Sequence, residues 1–423
     1  AVSQIVMKLM SKMAEDRYQS AIGIQTDLEA CLHQWQQTGH ITSFPVGRHD
    51  HSTELRIPQK LYGRDREIAT LLNAFQQMIT TGQQQLFVIS GKAGVGKSAL
   101  VQELYKSITQ QRGYFITGKF DQYQQNVPYS AVISAFVDLI QQLLSEPGEQ
   151  LHRWQEQLLA ALGNQGQVLI EFIPELERLI GKQPEVPNLS ADASQARFNR
   201  MFCQFTAVFT RSEHPLVLFL DDLQWADDAS LKLIHLLITE LNYQPDRQCL
   251  FIIGAYRDDE VGTTHLLSFI LREIQNCGAI VHSSSLTALR FEPINQLIAD
   301  TLRQDPAATA PLANLVLTKT DGNPFFVNEF LKQLQAENLL YFNPEQRCWQ
   351  WDGINIQAKN VTSNVVNLLI AKIQQLPSLA QTTLPLAACI GNNFELSTLS
   401  LIQNRSPSIA ATALQDAILA GLI

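Results

Sequence analysis

The stretch from Gln85 to Leu100 constrains this chain most. An apolar run, Leu86-Phe87-Val88-Ile89-Ser90, leads directly into Gly91-Lys92-Ala93-Gly94-Val95-Gly96-Lys97-Ser98-Ala99. That order predicts a buried strand, a glycine-rich loop and the first turn of a helix. The spacing G-x-x-x-x-G-K-[ST] suits a triphosphate on physical grounds. Glycines at 91, 94 and 96 admit φ > 0, so successive backbone N–H groups from Gly91 to Ala99, that of Val95 included, turn inward toward phosphate oxygens. The helix that follows aims its first amides and its dipole the same way. Lys97 then reaches the β- and γ-phosphates, and the Ser98 hydroxyl takes one position on Mg²⁺. The competing reading is a plain glycine-rich turn, which the strand immediately upstream disfavours.

A second run, Leu216-Val217-Leu218-Phe219-Leu220, ends in Asp221-Asp222. Apolar residues followed by carboxylates describe a central strand that delivers acids at its C-terminal end, where open α/β sheets place their ligands. Asp221 is the expected Mg²⁺ acid, and Asp222 the group that orients or deprotonates an attacking water. Against this stands the reading that Asp222, Asp227 and Asp228 only cap the next helix. A third run, Cys249 to Tyr256, ends at Arg257-Asp258-Asp259-Glu260. Arg257 either senses the γ-phosphate with its rigid donors or pairs with its acidic neighbours.

Composition narrows the alternatives. With 31 basic against 40 acidic residues the formal charge is −9, which disfavours a non-specific grip on nucleic acid or anionic lipid. The longest apolar runs are far too short to span a bilayer. Six widely spaced cysteines form no C-x-x-C pair, so neither a disulfide framework nor a zinc site is expected, and a cytoplasmic setting is the simplest. His49 and His51 are read as solvated linker residues rather than a metal pair. Ala1 is followed by no signal-like sequence and the last residues stop within a helical pattern, so a piece of a longer protein is expected.

Strands alternating with helices point to an α/β fold with a parallel sheet. At 423 residues two to four domains are expected. Residues 1–35 read as two short helices with Ile5, Leu9 and Met13 on one face and Ile22, Leu28 and Leu32 later, and residues 36–59 as a linker. Residues 60–285 carry the strands, with a helical insertion over about 129–181 and one amphipathic helix from the loop to about Gln110. Residues 286–360 read as helices, over Ile294 to Leu302, Pro311 to Thr320 and on to Leu340, with a hairpin around Asn343-Pro344-Glu345-Gln346. Residues 361–423 read as short amphipathic helices.

With these motifs in order, residues 60–423 resemble the STAND class of signalling P-loop ATPases within the AAA+ group. Tyr62-Gly63-Arg64-Asp65-Arg66-Glu67 is similar to that class's opening motif, and in relatives this segment, with Arg64, lies against the nucleotide base. Asp221 to Asp227, with Trp225, is similar to the extended Walker B of bacterial members. Arg257 matches the sensor-1 arginine. Gly322-Asn323-Pro324 is similar to the G-x-P motif, whose proline packs on the nucleotide from a helical lid. The resemblance implies a P-loop NTPase with a RecA/AAA+-like parallel sheet, then a lid, then a partial winged helix lacking its wing strands. ATP or ADP with Mg²⁺ is the implied ligand, and a slowly hydrolysing switch the implied role.

Residues 1–35 resemble the last helices of a Ser/Thr protein kinase C-lobe, with Arg17 in the place of the arginine that pairs with the A-P-E glutamate; the catalytic motifs of a kinase are absent. The resemblance implies a bacterial parent with kinase, sensor and histidine-kinase modules as intramolecular partners, and a nucleotide-dependent homo-oligomer. An ADP-locked scaffold without turnover and a winged-helix DNA-binding regulator are the rival functions, the latter disfavoured by the acidic balance.

Overall fold

Five apolar or half-apolar runs become five parallel strands in one sheet. They are β1 (Gln85–Ser90), β2 (Tyr114–Lys119), β3 (Leu216–Asp221), β4 (Leu250–Tyr256) and β5 (Ile280–Ser285), in spatial order β2-β3-β4-β1-β5. The computed structural model describes the chain except residues 12–16, 48–49, 51–54, 123–126, 212, 240–248, 344–345, 347, 359–369, 371, 392–393, 421 and 423. The chain divides into two compact units, one of residues 64–287 and 366–423, the other of residues 1–63 and 288–365.

In the first unit β1, β3 and β4 are buried along nearly their whole length, as strands covered on both faces must be. The edge strand β5, Ile280-Val281-His282-Ser283-Ser284-Ser285, is only half buried. Helix Asp65–Thr81 packs Leu71, Phe75 and Met78 inward, with Phe75 edge-on to Phe251 of β4 at 5.9 Å. The helix expected from the loop to Gln110 is broken, with Lys97–Gln102 and Tyr105–Gln110 separated by a tight turn in which Glu103 and Leu104 N–H donate to Leu100 and Val101 carbonyls.

Between β2 and β3 the helical insertion is realised as Ser130–Leu144, Gly148–Leu162 and four shorter turns up to Ile180. With helix Ala191–Phe209 it builds an aromatic core in which Phe136 meets Phe202 and Phe205 at 4.9 and 5.5 Å. Gly118 in β2 lets helix Ser130–Leu144 approach, because a Cβ there would stand 2.2 Å from the Ala131 carbonyl oxygen. Three helices, Ser378–Ile390, Leu396–Gln403 and Pro407–Leu419, end this unit and pack through small residues such as Ala380, Ala410 and Ala413. The start of the expected winged helix, with Leu368, Leu369 and Ala371, lies outside the described residues.

In the second unit helices Phe291–Leu302, Pro306–Thr320 and Pro324–Ala336 and the hairpin of β6 (Leu340–Asn343) and β7 (Cys348–Trp351) enclose Ile298, Leu312, Phe330 and Trp349. The middle helix starts at Pro306, not at Pro311 as the sequence reading had it. Asp305 caps it by accepting from Ala307 N–H at 2.8 Å, and Pro311 sits inside it. Helices Val2–Leu9 and Ala21–Thr38 belong to the same unit. So does part of the expected linker: Leu55 and Ile57 pack on the helical core, and Tyr62 donates to Asp300 at 2.8 Å. Asp50 is buried, accepting from Gln19 and Ser20 N–H and pairing with Arg303 at 3.2 Å. Met13, His49 and His51 lie outside the described residues, as do Pro344 and Glu345 of the hairpin turn.

Candidate nucleotide site

The site forms at the C-terminal ends of β1, β3 and β4. Where β1 ends, Ser90 accepts from Leu286 N–H at 2.8 Å, and the chain turns at Gly91 with φ 151°. A Cβ at Gly91 would stand 2.6 Å from the Leu286 carbonyl oxygen, so only glycine fits. Gly94 and Gly96 take φ 75° and 99°, in the left-handed region that costs other residues. Val95 is buried in this loop, and Ser98 and Ala99 follow Lys97 in the first turn of helix Lys97–Gln102.

Lys97 curls back into the loop. Its Nζ donates to the Gly91 carbonyl at 2.7 Å and to that of Lys92 at 3.1 Å. Burial lowers its pKa, while the charges of Asp221 and Asp222 oppose that shift. An ammonium so desolvated gains most from a close anionic partner.

Ser98 and Asp221 meet across the sheet, with Ser98 Oγ donating to Asp221 Oδ2 at 3.0 Å. Burial and the neighbouring Asp222 push the Asp221 carboxyl upward, and the Ser98 hydrogen bond works against them. Among the described residues no three His, Cys, Asp or Glu gather as a metal cluster. A hydroxyl beside one carboxylate is nevertheless the donor set that Mg²⁺ takes, since it keeps most of its water. The residues therefore fit a Mg²⁺–nucleotide.

Asp222 stands apart from Asp221 because the chain turns sharply behind β3. Asp222 has φ 55°, and a single 3₁₀ turn, Leu223–Trp225, follows. Gly254 of β4 makes room for that turn, since a Cβ there would lie 2.3 Å from Leu223 Cδ1. Asp222 is 7% exposed; its Oδ1 accepts from Gln224 Nε2 at 2.9 Å and lies 3.6 Å from Arg257 Nε. Its Oδ2 is 3.7 Å from Lys119 Nζ. The helix-cap reading thus fails for Asp222, because helix Asp228–Thr239 is capped by Asp227, which accepts from Ser230 N–H at 2.8 Å, while Asp228 pairs with Lys232.

Arg257, one residue beyond β4, pairs with an acidic neighbour, as one of its two sequence readings has it. Its Nη1 pairs with Glu260 at 2.8 Å, and its guanidinium lies 5.0 Å from the centre of the Trp225 ring. Its Nε still faces Asp222. Arg64 is buried and braces the loop from behind, donating to the carbonyls of Thr287 and, at 3.4 Å, of Val95. Burial lowers its pKa, with Glu67 opposing. Pro324 opens helix Pro324–Ala336 behind the cap Asn323, in the other compact unit.

Lys119 and Gln224 are site residues to which the sequence reading assigned no role. Lys119 carried a signal, since it ends β2 as Asp221 ends β3, and the two are register partners. Gln224 carried one too, lying inside the Asp221 to Asp227 stretch that resembles the extended Walker B.

Residues 60–252 match the family profile described as AAA ATPase domain. Among known proteins the whole chain is 31% identical to hybrid signal transduction histidine kinase G of Dictyostelium discoideum, covering 14% of its length. It is 21% identical to the peroxide stress-activated histidine kinase mak3 of Schizosaccharomyces pombe, covering 21% of that protein. The chain thus spans only 14% and 21% of the length of these two relatives. Among solved structures, Cdc6p of Pyrobaculum aerophilum aligns over 86% of this chain and 87% of its own, at 12% identity and a TM-score of 0.42. Residues 60–252 thus resemble an AAA ATPase domain, and the loop, the acid-bearing strand and the five-stranded parallel sheet, whose last strand lies beyond residue 252, have a P-loop NTPase fold.

Proposed function

We propose that the chain is an ATP-binding, slowly hydrolysing STAND-type switch within a longer signalling kinase. The observation that carries this reading is the convergence of Lys97, Ser98, Asp221, Asp222 and Arg257 at one end of the sheet, with Ser98 and Asp221 at 3.0 Å. Phosphoryl transfer asks the protein mainly for positioning and charge stabilisation, which this set supplies. The glycine loop and Lys97 bind the phosphates, Ser98 and Asp221 hold Mg²⁺, Asp222 orients the water, and Arg257 answers to the γ-phosphate. Mg²⁺ bound there neutralises charge building on the β- and γ-phosphates.

The contact of Pro324 with nucleotide rests on the resemblance alone. So do the cytoplasmic setting, the bacterial parent, the winged helix and a nucleotide-dependent homo-oligomer. Among the described residues no helix is long and apolar enough to cross a membrane. A signalling parent is supported by the two histidine-kinase relatives, and its other domains are the proposed partners.

The test is chromatographic identification of the bound nucleotide before and after incubation of the protein with MgATP. Slow conversion of bound ATP to ADP is expected. Protein that carries ADP throughout and never exchanges it for ATP would instead be the locked scaffold.

A further inference from the structure

Gln224 is 5% exposed and spends both ends of its amide within the site: Nε2 donates to Asp222 Oδ1 at 2.9 Å, and Oε1 accepts from Arg257 N–H at 3.2 Å. No other side chain described at this site joins the acid behind β3 to the backbone behind β4. The other forces on Asp222 are longer and more adjustable. Arg257 Nε stands at 3.6 Å with its guanidinium shared with Glu260, and Lys119 at 3.7 Å is half exposed. The 2.9 Å bond from Gln224 is therefore the shortest side-chain contact described on the Asp222 carboxylate, and the one with hydrogen-bond geometry.

We infer that Gln224 is a positioning residue, which sets the spacing between Asp222 and Arg257 so that both face the γ-phosphate together. This rests on the function proposed above and adds a prediction about discrimination. A residue that locks two γ-phosphate-facing groups should govern ATP against ADP, and turnover, while leaving ADP binding alone. The role needs one donor and one acceptor on separate atoms of a single side chain. Leucine matches the volume and lacks both. Neutral histidine carries both, and glutamate carries only acceptors while adding a charge beside Asp222.

The experiment compares the full chain as wild type, Gln224→Leu, Gln224→His and Gln224→Glu. Calorimetry gives the Kd of MgADP and of MgATP, and rapid quench gives single-turnover hydrolysis. The ADP Kd is expected to stay within about twofold in the leucine and histidine variants. Hydrolysis in Gln224→Leu is expected to fall about 10- to 100-fold, the scale of a misplaced reacting group, and to recover substantially in Gln224→His but not in Gln224→Glu. Where wild-type turnover is too slow to measure, the ATP-to-ADP affinity ratio decides, falling in Gln224→Leu and returning in Gln224→His. Unchanged hydrolysis and an unchanged affinity ratio in Gln224→Leu would overturn the inference, as would a histidine variant no better than leucine. Wild-type protein that binds neither nucleotide would instead overturn the function on which the inference rests. Loss of ADP binding in Gln224→Leu with a normal melting temperature would also overturn it, because the residue would then be shaping the whole pocket.

Discussion

At the scale of single residues, two adjacent acids meet different partners because the backbone separates them. Asp221 finishes β3 with strand geometry and meets Ser98, while Asp222 turns through φ 55° and meets Gln224, Lys119 and Arg257. Asp222→Asn keeps an oxygen for the Gln224 amide but loses the charge. It is expected to hold MgATP within about threefold of wild type while hydrolysis falls by about 10² to 10⁴, the usual weight of an acid–base group. Single-turnover rates check this, and unchanged hydrolysis would move water activation elsewhere. Glycine, lysine, serine and the acid pair were legible in the sequence because phosphate and Mg²⁺ chemistry dictates their types and spacing. The role proposed for Gln224 was not legible, because it depends on the distance between two strand ends that only the fold fixes.

At the scale of elements, the continuously apolar strands were legible and the edge strand β5 was not. Leu216 to Leu220 and Leu86 to Ile89 announce themselves by continuous apolarity, whereas β5 reads Ile-Val-His-Ser-Ser-Ser and is half exposed at the sheet edge. The helix boundary at Pro306 was missed because Pro311 looked like a start, although Asp305 supplied the cap. Two predictions belong here. Gly118→Ala forces a Cβ toward the Ala131 carbonyl and should cost about 1–3 kcal/mol by overpacking, read as a lower denaturant midpoint.

The second prediction concerns His282, whose ring stacks on Phe87 at 6.0 Å and whose pKa burial holds below its ordinary 6.5. Below pH 6.5 the unfolded chain takes up a proton that the folded chain does not. Stability from this group is therefore lost as pH falls from 6.5 through the lowered value, and then levels off. His282→Phe is expected to flatten the acid side of a melting-temperature profile between about pH 5 and 7.5 relative to wild type. Identical slopes would show that His282 takes up its proton equally in the folded and the unfolded chain.

At the scale of the whole molecule, the two compact units are interleaved in sequence. Residues 1–63 complete a unit whose other part is residues 288–365. Composition marked 36–59 as a linker, but Asp50, Leu55 and Ile57 are anchored in that unit, and Tyr62 bonds to Asp300. A chain starting at residue 64 should therefore retain the sheet yet expose the core around Ile298 and Phe330, and limited proteolysis should cut within residues 288–365 faster than in the intact chain. Equal cutting rates would show that the first 63 residues add no support.

The central claim is that Lys97 and its loop bind a nucleotide triphosphate with Mg²⁺. Isothermal titration of wild type and Lys97→Ala with ATP, with and without Mg²⁺, tests it most directly. The claim predicts saturable, Mg²⁺-strengthened binding to wild type and a loss of at least about 100-fold in Lys97→Ala, since the ammonium and the charge-assisted bonds it offers are removed. Equal affinity of the two proteins would contradict it.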